Sequence, residues 1–126
     1  MSLQTPLAKA RGLGSAKQGT HHWWQQRLTA IALTPLSLWF IYSLLIIGSV
    51  DHASVTRWMS DTMNAVLLIL FIVSLFHHAQ LGMQVVIEDY IDSEWQKMSS
   101  IILIKFLALF AGLTSVIAIL KVFLGL

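Results

Sequence analysis

Residues 74–90, SLFHHAQLGMQVVIEDY, set two adjacent histidines, a glycine and an Asp-Tyr pair into an otherwise apolar stretch. A neutral imidazole can bind a metal through one ring nitrogen while the other donates a hydrogen bond. A phenol can donate to a carbonyl, and a neighbouring carboxylate can orient a cation or relay a proton. Metal or redox chemistry is therefore open to this segment, and so is plain hydrogen bonding between helices.

The elements that must position these groups follow from composition. Of 126 residues, 56% are hydrophobic and 11% charged, against roughly 25% charged in soluble domains. Three apolar runs, at about residues 28–50, 63–87 and 100–124, are each long enough to cross a hydrocarbon core of about 30 Å as helix. The reading is an all-α membrane protein: a polar lead over residues 1–20, extended or poorly ordered, then a three-helix anchor domain over 21–126. The first run is too long, and starts too far along, for the apolar core of a cleavable signal peptide, so it is expected to be retained. Without cysteine the chain forms no disulfide, holds no iron–sulfur cluster by thiolates and has no thiol nucleophile. The GLGSAK of the lead lacks the spacing of a phosphate loop.

Lys9, Arg11, Lys17 and Arg27 precede the first run with no acid among them, which puts the N-terminus in the cytoplasm by the positive-inside rule. The basic lead has no dense Lys/Arg run of the kind that binds nucleic acid. The first connection, about residues 49–61, carries one Arg, Arg57, and should lie outside; the second, about 88–99, returns to the cytoplasmic side by crossing number. THHWWQQR, residues 20–27, reads as an interfacial belt, with Trp58 and Trp95 marking later interfaces. Pro35 should kink the first helix unless the carbonyl it frees finds another partner.

At about 100° per residue, Asn64, Phe71, Ser74, His78, Gly82, Val85 and Asp89 project within about 40° of one line. This stripe should face protein or a cofactor, while leucines, isoleucines and valines cover the rest. His78 lies deep, where an imidazole needs a partner for its N–H. Its remaining nitrogen is suited to iron, or the residue simply bonds a neighbouring helix. Gly82, one turn on, admits either a flat macrocycle or a second helix. Spacing leaves both uses open. Two histidines from separate helices can ligate haem, but His77 points about 100° away, toward a neighbouring helix or polar group, and His21, His22 and His52 lie near the interfaces. A second ligand would come from another chain. Zinc is disfavoured, since no His-x-x-x-His pair or cysteine completes a site.

HHWWQQRLTAIAL at the start of the first helix and HHAQLGMQVVIEDY at the end of the second resemble the hydrophobic membrane-anchor subunit of bacterial and mitochondrial succinate dehydrogenase, respiratory complex II. The resemblance covers about residues 20–126. It implies that His78, by the glycine four positions on, is an axial ligand of haem b and so binds the haem iron, with the other axial histidine supplied by a second, different membrane-anchor subunit. The doubled histidine departs from the family pattern. Tyr90 matches the tyrosine of the ubiquinone site, Asp89 lies beside it in the same pocket, and Arg27 matches the arginine near the haem propionates or quinone pocket.

The resemblance further implies an anchor, not catalytic alone, in a succinate:ubiquinone oxidoreductase of the tricarboxylic acid cycle and respiratory chain. FAD and iron–sulfur clusters would belong only to the flavoprotein and iron–sulfur partner subunits. The location would be the bacterial inner membrane, or the mitochondrial inner membrane if organellar, in contact with phospholipid. A quinol:fumarate reductase anchor is the nearest alternative. A small non-redox transporter or scaffold, with His78 and Asn64 in a helix interface, is the alternative from another class.

Overall fold

A computed structural model describes residues 5–10 and 16–126, which form helices α1 (Pro6–Ala10), α2 (Ala16–Ile46), α3 (His52–Ser60), α4 (Thr62–Tyr90) and α5 (Glu94–Leu124). Three stretches, Gly19–Ile46, Thr62–Tyr90 and Glu94–Leu124, are long and apolar enough to cross a membrane. The chain is an all-α, multi-pass membrane protein.

The boundaries differ from the sequence expectation for physical reasons. The first membrane helix starts well before residue 28, because THHWWQQR is itself helical, with His22 and Gln26 half-buried and Trp23, Trp24 and Arg27 exposed. Where an extended lead is expected, residues 6–10 and 16–20 are helical, and most of GLGSAK lies outside the described residues. The first helix stops at Ile46 rather than at residue 50, and Gly48, at φ 79°, turns the chain in a conformation that disfavours other residues. Pro35 sits inside a helix that continues through it. The Thr34 hydroxyl donates to the Ala30 carbonyl at 2.9 Å, one residue before the Ile31 carbonyl that the proline frees.

The first connection is largely the helix α3, whose Val55, Trp58 and Met59 recur at helical spacing and turn inward. In the turn before it, the Ser54 and Ser49 hydroxyls lower the Asp51 carboxyl to about 2, so the turn carries a fixed negative charge at neutral pH. Asp61 then joins two helices. It ends α3, its N–H reaching the Trp58 carbonyl, and it caps α4 by accepting from the Asn64 N–H at 3.1 Å. Between α4 and α5 only residues 91–93 are non-helical, so the connection is far shorter than the polar stretch that suggested it.

α4 lies between α2 and α5, and among the described residues these two do not pack on each other. α3 closes one end against α4 and α5. Ala65, Leu68 and Ile119 form a small buried core there, packed against Trp39, Phe40, Trp58 and Phe71. Trp39 and Trp58 stack with ring centroids 5.6 Å apart, and Phe40 and Phe71 at 5.1 Å. Most other apolar side chains are exposed, as suits helices that meet lipid or another subunit.

Trp58→Ala should therefore lower the stability of the detergent-solubilised protein by roughly 1–3 kcal/mol, less than a fully buried tryptophan would cost. Trp58→Phe should recover most of the loss, as followed by thermal unfolding with circular dichroism.

Candidate functional site

Half-buried polar groups meet on the seam between α2 and α4. Thr29 Oγ1 lies 2.9 Å from His78 Nδ1. The same oxygen is 2.8 Å from the Gln25 carbonyl and 3.1 Å from the Gln26 carbonyl. A threonine hydroxyl has one proton, and two carbonyls of its own helix compete to receive it. With that proton on either carbonyl, the hydroxyl oxygen accepts from His78 in the tautomer that carries its proton on Nδ1. The lone pair is left on Nε2, which makes no hydrogen bond among the described residues. This is the arrangement by which a helix holds an imidazole ready to coordinate a metal: one nitrogen fixed by a hydrogen bond, the other available.

Residues 22, 26 and 29 share one side of α2 by helical spacing, and each turns toward α4. Gly82, one turn beyond His78, provides room for the Gln26 amide, whose nitrogen would lie 3.8 Å from a Cβ placed there. The close approach that Gly82 allows is thus made by a side chain of α2. Two atoms in this seam, His22 Nε2 and Gln26 Oε1, are buried without a hydrogen-bond partner. Orphaned buried polar atoms carry a desolvation cost unless a ligand, water or partner satisfies them.

The remaining sequence candidates fall outside the seam. His77 turns away from His78, lining a groove with Lys105 and Gly112 of α5, in keeping with its expected contact with a neighbouring helix. Arg27 is exposed, and its guanidinium lies 5.4 Å from the centroid of the Trp23 ring. Two residues from Thr29, it projects about 160° away from the seam, so this chain alone does not bring Arg27 to His78. Asp89 is exposed, and Tyr90, at the last turn of α4, is 83% exposed. Asn64 donates to the Trp58 carbonyl at 3.1 Å and serves the α3–α4 junction. Among the described residues no three His, Cys, Asp or Glu side chains gather to hold a metal.

Sequence reasoning passed over Thr29, Gln26 and His22 as one group. The signal was present: polar residues at 22, 26 and 29 repeat at the spacing of a helix face. Lys105 was also passed over, although a lysine inside IILIKFLALF is itself a charge at membrane depth.

The fold and the seam define a small multi-pass membrane subunit whose polar machinery is incomplete by itself: one imidazole offered from a helix pair, with exposed polar residues at the same end. The transmembrane-subunit family of succinate dehydrogenase and fumarate reductase matches residues 1–117. The succinate dehydrogenase hydrophobic membrane anchor subunit of Rickettsia bellii is 41% identical over 117 residues, covering 93% of this chain and 91% of that one. The equivalent subunit of Rickettsia conorii is 37% identical over 114 residues, covering 90% of each. The succinate dehydrogenase membrane anchor subunit of Reclinomonas americana is 36% identical over 96 residues, covering 74% of this chain and 80% of that one. The chain belongs to the succinate dehydrogenase/fumarate reductase transmembrane subunit family, as a hydrophobic membrane anchor.

Thr29→Val removes the acceptor for the His78 N–H while keeping the shape of the side chain. In ¹⁵N NMR of histidine-labelled protein, the His78 Nδ1–H form should lose its preference in the valine variant and keep it in Thr29→Ser. The helix pair should weaken by about 0.6 kcal/mol.

Proposed function

We propose that this anchor supplies one axial ligand of a haem b and part of a ubiquinone site in a succinate:ubiquinone oxidoreductase. The observation that carries the proposal is the Thr29–His78 hydrogen bond, 2.9 Å long and directed to Nδ1, because it leaves Nε2 as a donor atom of fixed orientation. A second anchor subunit would bring the other histidine, since His22, the other imidazole of the seam, sits two turns away from Thr29 on the same helix. The haem, when bound, would supply a one-electron redox centre between the two anchors.

The chain's own residues divide the remaining work. Thr29 fixes the tautomer and the ring plane of His78. Arg27, on the outer side of α2, offers a planar fork of donors to carboxylates such as propionates from the partner side. At the end of α4, Tyr90 donates a hydrogen bond to a quinone carbonyl and polarises it, and Asp89 orients the arginine or passes a proton. The exposure of Tyr90 suits a pocket that is closed by other subunits. An iron–sulfur subunit and a flavoprotein subunit would deliver electrons from succinate, with the N-terminus and the Tyr90 end on the cytoplasmic side. Succinate oxidation rather than fumarate reduction is the direction that the relatives' names support.

Two variants of the assembled complex test this reading. Tyr90→Phe should lower kcat/KM for quinone reduction about tenfold, the worth of one hydrogen bond to the reacting carbonyl, with assembly intact; an unchanged rate removes Tyr90 from the site. His78→Ala should abolish the low-spin haem spectrum, whereas an unaltered spectrum excludes His78 as the ligand.

A further inference from the structure

Because α2 and α5 both pack on α4 but not on each other, a cleft of about 700 Å³ opens between them. Its polar lining comes from all three helices: His21, His22 and Gln25 of α2, His77, Gln80 and Gln84 of α4, and Lys105 of α5. No carboxylate lines it, and the one bonded to its lining is Glu88, which accepts from the Gln84 amide at 2.9 Å. Lys105 forms no ion pair among the described residues, where the one salt bridge joins Lys97 to Glu94. An ammonium so placed, about 16 Å along α5 from Glu94 by helical rise, is costly at membrane depth without an anion.

A second cavity, of about 310 Å³, continues from the first and shares His77, Gln80, Lys105 and Leu109 with it. Its other walls are apolar and lie further from the Tyr90 end, including Val73 and Phe76 on α4 and Leu113 and Val116 on α5. Gly112 lies against Phe76 in this groove, where a Cβ would make an ordinary contact at 3.8 Å. One continuous space thus has a cationic, hydrogen-bonding mouth and an apolar extension running deeper along the helices.

We propose that this space binds an anionic phospholipid, its phosphate held by Lys105 and the cleft's imidazole and amide donors and one acyl chain lying in the α4–α5 groove. The lysine stem can carry its head some way toward the interface, where lipid phosphates reside. A neutral quinone head would leave the charge of Lys105 unbalanced, and free phosphate would leave the apolar groove unused. The site meets the α2–α4 seam at His22, and neither Thr29, His78 nor Tyr90 lines it, so the proposal stands independently of the haem and quinone reading.

The test uses the whole complex, purified in mild detergent, delipidated and titrated with phosphatidylglycerol or phosphatidylcholine while bound lipid is counted by native mass spectrometry. Wild type and Lys105→Arg should hold one more phosphatidylglycerol than Lys105→Met, whose affinity falls about tenfold. Ala108→Leu, which narrows the groove and spares the lysine, should weaken the same binding, and millimolar inorganic phosphate should not displace the lipid. The proposal is overturned if Lys105→Met binds phosphatidylglycerol as wild type does, if phosphatidylcholine binds equally well, or if inorganic phosphate competes. It is equally overturned if a cross-linker on Gln80→Cys captures a partner subunit in place of lipid.

Discussion

An imidazole inside a membrane must find a use for both ring nitrogens, because no water is at hand to satisfy either. Here Thr29 answers for one of them. Its hydroxyl lies within reach of carbonyls of its own helix; with its proton on either of them its oxygen accepts from His78 Nδ1–H, and the direction of that bond decides which nitrogen stays free. The rest of the seam is arranged around this contact: Gly82 lets the Gln26 amide approach α4 beside it, and His22 and Gln26 leave polar atoms buried and unpartnered at the same helix pair. The hydrogen bond between helices and the readiness to bind metal are therefore one arrangement seen from the two sides of the ring.

The central position of α4 explains how two adjacent histidines acquire separate surroundings. The 100° between successive residues of a helix turns His78 toward α2 and His77 toward the groove with α5. Since the described residues of α2 and α5 do not meet, His78 and Thr29 keep a seam of neutral donors and acceptors while His77 faces a cleft with a lysine, the two joined at His22. At the opposite end, α3 and the stack of Trp39, Trp58, Phe40 and Phe71 tie the helices together, which leaves the Tyr90 end free to be shaped by partners.

The three membrane helices were legible in the sequence because their apolar runs answer to one dominant demand, the thickness of the bilayer. Their ends were not: the helical belt at THHWWQQR and the short α3 are set by interfacial side chains and by packing, which an apolar run does not report. The separation of His77 from His78 followed from helix geometry alone. The partner of His78 did not, because Thr29 lies 49 residues away and nothing local distinguishes it from Thr34, whose hydroxyl merely returns to its own helix. Arg27, Asp89 and Tyr90 drew attention through resemblance, and within a single chain they remain exposed, as residues of a pocket with several owners would.

The central claim is that this chain presents one imidazole and needs a second chain to complete the haem site. It is tested most directly by recording reduced-minus-oxidised spectra of the chain purified alone and of the complex captured through it in mild detergent, with the co-purified subunits identified. The account predicts a low-spin, bis-histidine haem b in the complex together with a second anchor, and no such signal from the chain alone. A low-spin haem in the isolated chain, or a complete complex devoid of haem, would contradict it.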